Sequence, residues 1–253
     1  KECGEPADLV IIAVKGYGLD QAIEDIRNQV GENTVILSVL NGVDSEQRVI
    51  EAYGEDKVLY SYMRVSVVMK DGCTSYDPAL GNIHFGEKLN EEGAYTDRVL
   101  AVKEVFDRCG ITNIIDPDMI KGIWFKFMCN VGENLTCALL GIPFGVFRTS
   151  DHANAIRRKA MEEGVLIAQE LGVDLGKEDM DRQESTLMAL PFQNKPSTLQ
   201  DLEAGKRTEI DMFAGTVIEY GRKLGIATPV NEMFYHAIHV LEEKCGGSFQ
   251  AAD

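Results

Sequence analysis

No apolar run in this chain approaches the roughly twenty residues that a membrane-spanning helix requires; the longest, Leu9 to Val14, ends after six. No signal-peptide pattern opens the chain either, so a cytoplasmic setting is expected. Basic residues are scarce: 25 Lys and Arg face 41 Asp and Glu, a formal net charge of -16, with no dense Lys/Arg block. That balance argues against nucleic acid and anionic membranes as partners. The six cysteines, Cys3, Cys73, Cys109, Cys129, Cys137 and Cys245, contain no C-x-x-C pair; reduced and mostly buried thiols are expected. Of four histidines only His236 and His239 share a helix face, with no H-E-x-x-H and no third ligand, so no metal centre is expected. The dinucleotide fingerprint G-x-G-x-x-G is missing too. Gly16-Tyr17-Gly18-Leu19-Asp20-Gln21 follows a strand and opens a helix, but Gln21 stands where the third glycine belongs, which reads as a turn.

What is present has a clear grammar. The 253 residues suit one large or two modest domains. Up to residue 116, β-rich runs at Leu9 to Val14 and Thr34 to Leu40 flank an amphipathic stretch from Leu19 to Val30, the pattern of parallel strands joined by a helix. Lys57 to Met69 and Asn82 to Phe85, separated by the turn-rich Lys70 to Gly81, predict antiparallel pairing at a sheet edge. After Ile111 to Ile115, Asp116-Pro117-Asp118 breaks the pattern. A boundary is therefore expected between residues 116 and 117, with an α/β domain before it and an all-helical one after it. Helices are predicted near 119–140, 151–172, 177–189, 198–205, 208–224 and 230–244. The Gly246-Gly247-Ser248 tail, with nothing to bury, is expected to be mobile.

Inside the first of these helices, Lys126, Asn130 and Asn134 recur at a spacing of four within an otherwise apolar run that begins Trp124-Phe125. At about 100° per residue that spacing lines one face. Burying a lysine among aromatic side chains is costly unless it does chemistry or finds a carboxylate. The bland alternatives are a lysine snorkelling to solvent and core amides bonded to neighbouring helices. A second polar block runs Asn194-Lys195-Pro196-Ser197-Thr198-Leu199-Gln200-Asp201, followed by Arg207-Thr208-Glu209-Ile210-Asp211. Ser197 with Gln200 reads as a capping box, and Thr208 as the cap of a helix whose first turn holds Glu209.

These two segments resemble the W-x-K-x-x-x-N-x-x-x-N helix and the P-S-x-x-Q-D and R-x-T-E-I-D stretches of the ketopantoate reductases (2-dehydropantoate 2-reductases). The resemblance extends to Val14-Lys15, Asn41-Gly42 and Gly225-Ile226-Ala227-Thr228-Pro229, and so spans almost the whole chain. It implies an incomplete Rossmann-like NADP-binding domain over 1–116, whose first strand, glycine loop and first helix lie upstream of Lys1, roughly 60 to 70 residues, and a helical substrate domain over 117–253. It further implies NADPH-dependent reduction of ketopantoate to pantoate, on the route to pantothenate and coenzyme A. Lys126 would be the general acid; Asn130, Asn134 and Asn194 would hold substrate, and Ser197 its carboxylate. Glu209 would contact substrate, cofactor ribose and the lysine, while Lys15, Asn41 and Asn194 would line the cofactor side. The partners expected are a small 2-oxo acid and, as an assembly the resemblance allows, a second copy of the chain in a homodimer.

The chemistry stands without the name. Reducing a 2-oxo acid needs a proton donor where alkoxide charge develops and groups that fix the carboxylate. One residue departs from expectation: Glu133, seven after Lys126 and about 20° off its direction, puts an acid beside an anion-binding face and leaves the exact 2-oxo acid open. Two alternatives remain. One is a related NAD(P)-dependent 2-oxo or 3-hydroxy acid oxidoreductase of the wider 6-phosphogluconate-dehydrogenase-like group; the other is a non-catalytic binding protein on the same scaffold.

Overall fold

Leu9–Ile12 (β1), Val35–Ser38 (β2) and Val58–Arg64 (β3) are the short β-branched and aromatic runs that favour pleated, buried backbone. They pair in parallel in that order. The computed structural model describes residues 4–65, 67–70, 73–76 and 81–246; Cys3 and the tail from Gly247 lie outside them. Between the first strands run Leu19–Asp25 (α1) and Ser45–Tyr53 (α2). Val67–Lys70 (β4) and Cys73–Tyr76 (β5) form a separate antiparallel ribbon; β4 ends the run expected to be strand, and β5 lies inside the stretch expected to be turns. Asn82–Gly86 (β6) then returns antiparallel to β3. It is not an edge strand as expected, because after Asp97–Arg108 (α3) the two-residue Asn113–Ile114 (β7) adds parallel to it. The sheet order is β1-β2-β3-β6-β7, a mixed sheet.

Both faces are covered, which is why the strands read as nearly continuous apolar runs. On one face Val35, Leu37, Leu59 and Phe85 pack against Val99, Val102 and Phe106 of α3. On the other, Tyr60 and Tyr62, displaced by the two-residue period of β3, pack with Ile50 of α2 and with Met119 and Ile123 of the next helix. This is the α/β, Rossmann-like arrangement expected.

The chain forms two compact units, Lys1–Ile123 and Trp124–Asp253, so the division falls inside Met119–Cys129 (α4). The second unit is helical: Leu135–Leu140 (α5), Asp151–Glu170 (α6), Lys177–Ala189 (α7), Ser197–Glu203 (α8), Thr216–Leu224 (α9) and Pro229–Cys245 (α10). Long α6 is its centre, packing against α9 and α10. Its Glu163 accepts from Val230 N (2.9 Å), Asn231 N (3.0 Å) and Asn231 Nδ2 (2.7 Å), supplying the acceptors that the start of α10 lacks. Gly141 (φ 65°) and Gly225 (φ 72°) end α5 and α9 in the left-handed region, where a side chain would be strained. The cysteine expectation is corrected here. Cys129 and Cys137 are buried, but Cys73, Cys109 and Cys245 are exposed; Cys109 caps the end of α3 and Cys245 is the last residue of α10.

A buried polar chain closes the loop after β2. Ser61 Oγ donates to Ser38 O (2.9 Å), Ser38 Oγ to Ser45 Oγ (2.9 Å), and Ser45 Oγ to Glu46 Oε2 (2.9 Å). Ser38 and Ser45 stand at either end of residues 39–44, so the chain staples the loop carrying Asn41. Burial pushes the Glu46 carboxyl up to about 7, against hydrogen bonds from Ser45 and Ser61 that pull it down. The folded protein therefore holds this proton more tightly than the unfolded chain, and the group costs stability as pH rises from its ordinary value of 4.5 through about 7. Glu46→Gln is expected to gain on the parent across that window, by a margin approaching ~3 kcal/mol at pH 8 relative to pH 4. Urea unfolding at both pH values measures it; parallel stability curves for variant and parent would contradict the assignment.

Candidate active site

Lys126 sits in the last turn of α4 and is only 9% exposed; its neighbours in sequence Trp124, Phe127 and Met128 are buried too. The predicted single helix from 119 to 140 does not continue as such. Asn130–Asn134 winds as a π-turn before α5 resumes. In an α-helix each step of four residues overshoots a full turn by about 40°, so Asn134 would drift away from Lys126. A π-turn spends more residues per turn and cancels that drift. Asn134 Nδ2 accordingly donates to Asn130 Oδ1 across 3.1 Å. That bond fixes the Asn130 amide with Oδ1 as acceptor and leaves its buried Nδ2 as a donor without an acceptor among the described residues, a group suited to an oxygen of a ligand.

The same winding corrects the reading of Glu133. It does not lie near the Lys126 direction but turns into the helical core, where Gln183 Nε2 donates to it (3.0 Å) and Arg157 Nη1 lies 3.5 Å away. Gly132 permits this approach, since a Cβ there would meet Met161 Cγ at 2.3 Å and the Arg157 carbonyl at 3.0 Å. Arg157, wholly buried on α6, has no signal in the sequence: Arg157-Arg158-Lys159 reads as a solvated helix face.

Glu209 is 6% exposed, between fully buried Thr208 and Ile210. The expected cap at Thr208 is not formed: Ile210 takes the cap position and the helix starts at Asp211, so Glu209 precedes its first turn, and Thr208 Oγ instead closes a local turn by accepting from Ile210 N at 3.2 Å. Glu242 on α10 anchors Thr208 in turn, accepting from its N (2.6 Å) and Oγ (2.7 Å). A second π-turn, Asp211–Gly215, follows directly and runs into α9. Burial raises the Asp211 carboxyl, but hydrogen bonds from Arg207, Tyr235 and His239 outweigh it and hold the group below the usual carboxylate range. The two π-turns pack against one another, so the Asn130/Asn134 segment and the Glu209 segment meet through them.

Asn194, half-buried, sits in the loop before α8, its carbonyl accepting from Phe144 N at 2.9 Å. Ser197 is exposed at the start of α8, which packs on α5 and on the first π-turn. The expected capping box is absent. Pro196, extended at φ -68° and ψ 160°, takes the cap position. It offers no N–H for Gln200 to accept from, and Gln200 Nε2 instead donates to the Lys195 carbonyl at 2.9 Å. The Ser197 hydroxyl is thus not committed to capping its own helix.

Lys15 and Asn41 belong to the other unit. Ile12 and Ser38 are the last paired residues of adjacent parallel strands, and each candidate stands three positions beyond its strand, half-buried. The carboxyl ends of parallel strands are where such sheets bind ligands. A cation and an amide there fit the phosphate and ribose oxygens of a dinucleotide. Among the described residues no group of three His, Cys, Asp or Glu side chains could hold a metal ion, and no helix is long and apolar enough to cross a membrane.

Comparison with known proteins agrees over both units. The 2-dehydropantoate 2-reductase of Pyrococcus horikoshii is 28% identical over 249 residues, covering 97% of this chain and 79% of that protein. The crystal structure of 2-dehydropantoate 2-reductase from Geobacter metallireducens superposes with a TM-score of 0.82 at 26% identity, covering 93% of this chain and 78% of the other. A ternary structure of D-mandelate dehydrogenase with NADH and anilino(oxo)acetate shares the fold, with a TM-score of 0.83 at 20% identity over 97% of this chain and 79% of that one. Residues 2–90 match the family described as Ketopantoate reductase PanE/ApbA, and residues 118–242 match its C-terminal part. On this match, and on the lysine and paired asparagines that the first π-turn aligns, the chain belongs to the ketopantoate reductase PanE/ApbA family of oxidoreductases.

Proposed function

We propose that this protein reduces 2-dehydropantoate (ketopantoate) to pantoate with NADPH, in the supply of pantothenate and coenzyme A. The observation that carries the reading is the buried Lys126 followed, on the same face, by the hydrogen-bonded Asn130 and Asn134. Lys126 donates a proton to the ketone oxygen as charge develops there. Asn130 turns its Nδ2 to a substrate oxygen, with Asn134 holding that amide in place. Asn194 lines the same side, and Ser197 donates to the substrate carboxylate. Glu209 contacts substrate and cofactor ribose and holds the lysine ammonium in its charged, proton-bearing form. Lys15 and Asn41 bind the dinucleotide at the strand ends. When bound, NADPH supplies the hydride that completes the reduction.

The pairing of Glu133 with Arg157 and Gln183 favours an anionic 2-oxo acid here, because the one acid that seemed to oppose it is engaged in the core. Relatives named 2-dehydropantoate 2-reductase support this choice within that class.

Two measurements test the proposal. The intact protein, with its natural upstream residues, should oxidise NADPH saturably with ketopantoate. Lys126→Ala should lower kcat by about 10²- to 10⁴-fold with an unchanged circular dichroism spectrum, whereas parental turnover would remove this lysine from the mechanism. Ser197→Ala should instead raise KM for the 2-oxo acid by about tenfold, as expected for one lost hydrogen bond to a charged group, and leave kcat within about threefold. An unchanged KM would exclude the serine from carboxylate binding.

A further inference from the structure

Arg157 touches neither the lysine face nor, on the roles proposed above, any reacting group, yet it is among the most deeply buried side chains of the described residues. Its guanidinium is held on every side. Nε donates to Asn154 Oδ1 (3.2 Å), Nη1 faces Glu133 Oε1 (3.5 Å), Nη2 faces Glu184 Oε2 (3.4 Å), and the group lies over the Phe147 ring at 5.4 Å. Glu133 completes the contact through Gln183. Burying such charges is expensive, and well-packed apolar residues in their place are often no less stable. Stability alone is therefore a poor reason for the pair, and its location suggests another.

Glu133 is the fourth residue of the π-turn Asn130–Asn134. A π-turn is rare and forms only where surroundings hold it. Reverting to α winding would rotate everything beyond it by about 100°, breaking the Asn130–Asn134 alignment. The core grips this turn at two adjacent residues: Gly132, against which α6 closes to a distance no side chain would permit, and Glu133, drawn inward by Arg157 and Gln183. We infer that the Arg157–Glu133–Gln183 cluster is a positioning device for the active site: it locks the π-turn and so sets Asn130 and Asn134 on the Lys126 face. The catalytic half of this inference rests on the reductase reading; the mechanical half does not.

Removing one partner alone would strand a buried charge and threaten folding. The test is therefore the double variant Glu133→Leu/Arg157→Met, with Glu133→Asp beside it, which keeps both charges and shortens the reach by one methylene. Hydrogen exchange measured on the intact protein should show amide protection over residues 130–136 falling at least tenfold in the folded double variant, with α9 unchanged. Its kcat with ketopantoate should fall by about 10- to 100-fold while the NADPH dissociation constant, from cofactor fluorescence, moves less than twofold. Glu133→Asp should lose about three- to tenfold in kcat, which decides the matter if the double variant does not fold. Parental exchange in the π-turn, or parental kcat, in either folded variant would overturn the proposal. Absence of turnover in the parent would instead defeat the reductase reading, and exchange alone would then judge the brace.

Discussion

A helix that abandons its regular ladder for one turn gives up good hydrogen-bond geometry and must be compensated by its surroundings. In this protein that happens twice, at Asn130–Asn134 and at Asp211–Gly215, and the candidate site depends on both. The first turn undoes the drift of α winding and brings Asn134 to Asn130. The second begins two residues after Glu209, whose neighbour Thr208 is tied to Glu242. Without the first, the lysine and the two amides would fan around the helix. The Thr208 anchor, with the bonds of Tyr235 and His239 to Asp211, fixes where the Glu209 segment enters its helix.

The first unit solves a similar problem by different means. There the loops carrying the candidates Lys15 and Asn41 leave the ends of parallel strands, and their position is set by strand register, Ile12 opposite Ser38, rather than by helical phase. The loop after β2 is then closed by a serine chain ending on Glu46. A carboxyl that burial keeps protonated up to about pH 7 is a poor stabiliser at higher pH but a good hydrogen-bond terminus, and its place beneath the Asn41 loop shows what that cost secures.

Much of this was legible in the sequence, and the pattern of what was not is physical. Parallel β1 and β2, the antiparallel return of β6 and the limits of α6, α7 and α10 follow from side-chain period and from residues such as Pro229, because local preference and burial agree there. The residues of the lysine face were legible from spacing alone. Their geometry was not, because a π-turn leaves the α-helical spacing pattern intact and is decided by what packs against Gly132. The capping box at Ser197 failed for a nearby reason: proline is equally content one residue before a helix or in its first turn, and the tertiary context chose. Arg157 and Glu46 were invisible because a charged residue in a polar stretch gives no sign that a partner fifteen or more positions away will bury it.

The two π-turns also explain how distant segments can serve one reaction. Lys126 and Glu209 stand 83 positions apart; the first lies in the last turn of α4, the second in the bend that leads into the second π-turn. Two straight α-helices crossing at a fixed angle present faces set by ridge and groove packing, and side chains on them can be adjusted only in steps of about 100° per residue. One wide turn in each helix changes the angular advance per residue where the two touch, and within the first turn this cancels the drift between Asn130 and Asn134. A site that requires a donor, an amide pair and an acid in mutual register gains more from that rotation than it loses in backbone hydrogen bonding, provided the turns are held. On that argument the buried charge of Arg157 and the missing side chain of Gly132 belong to the candidate site as much as the lysine does, because they hold the turn on which its amides sit.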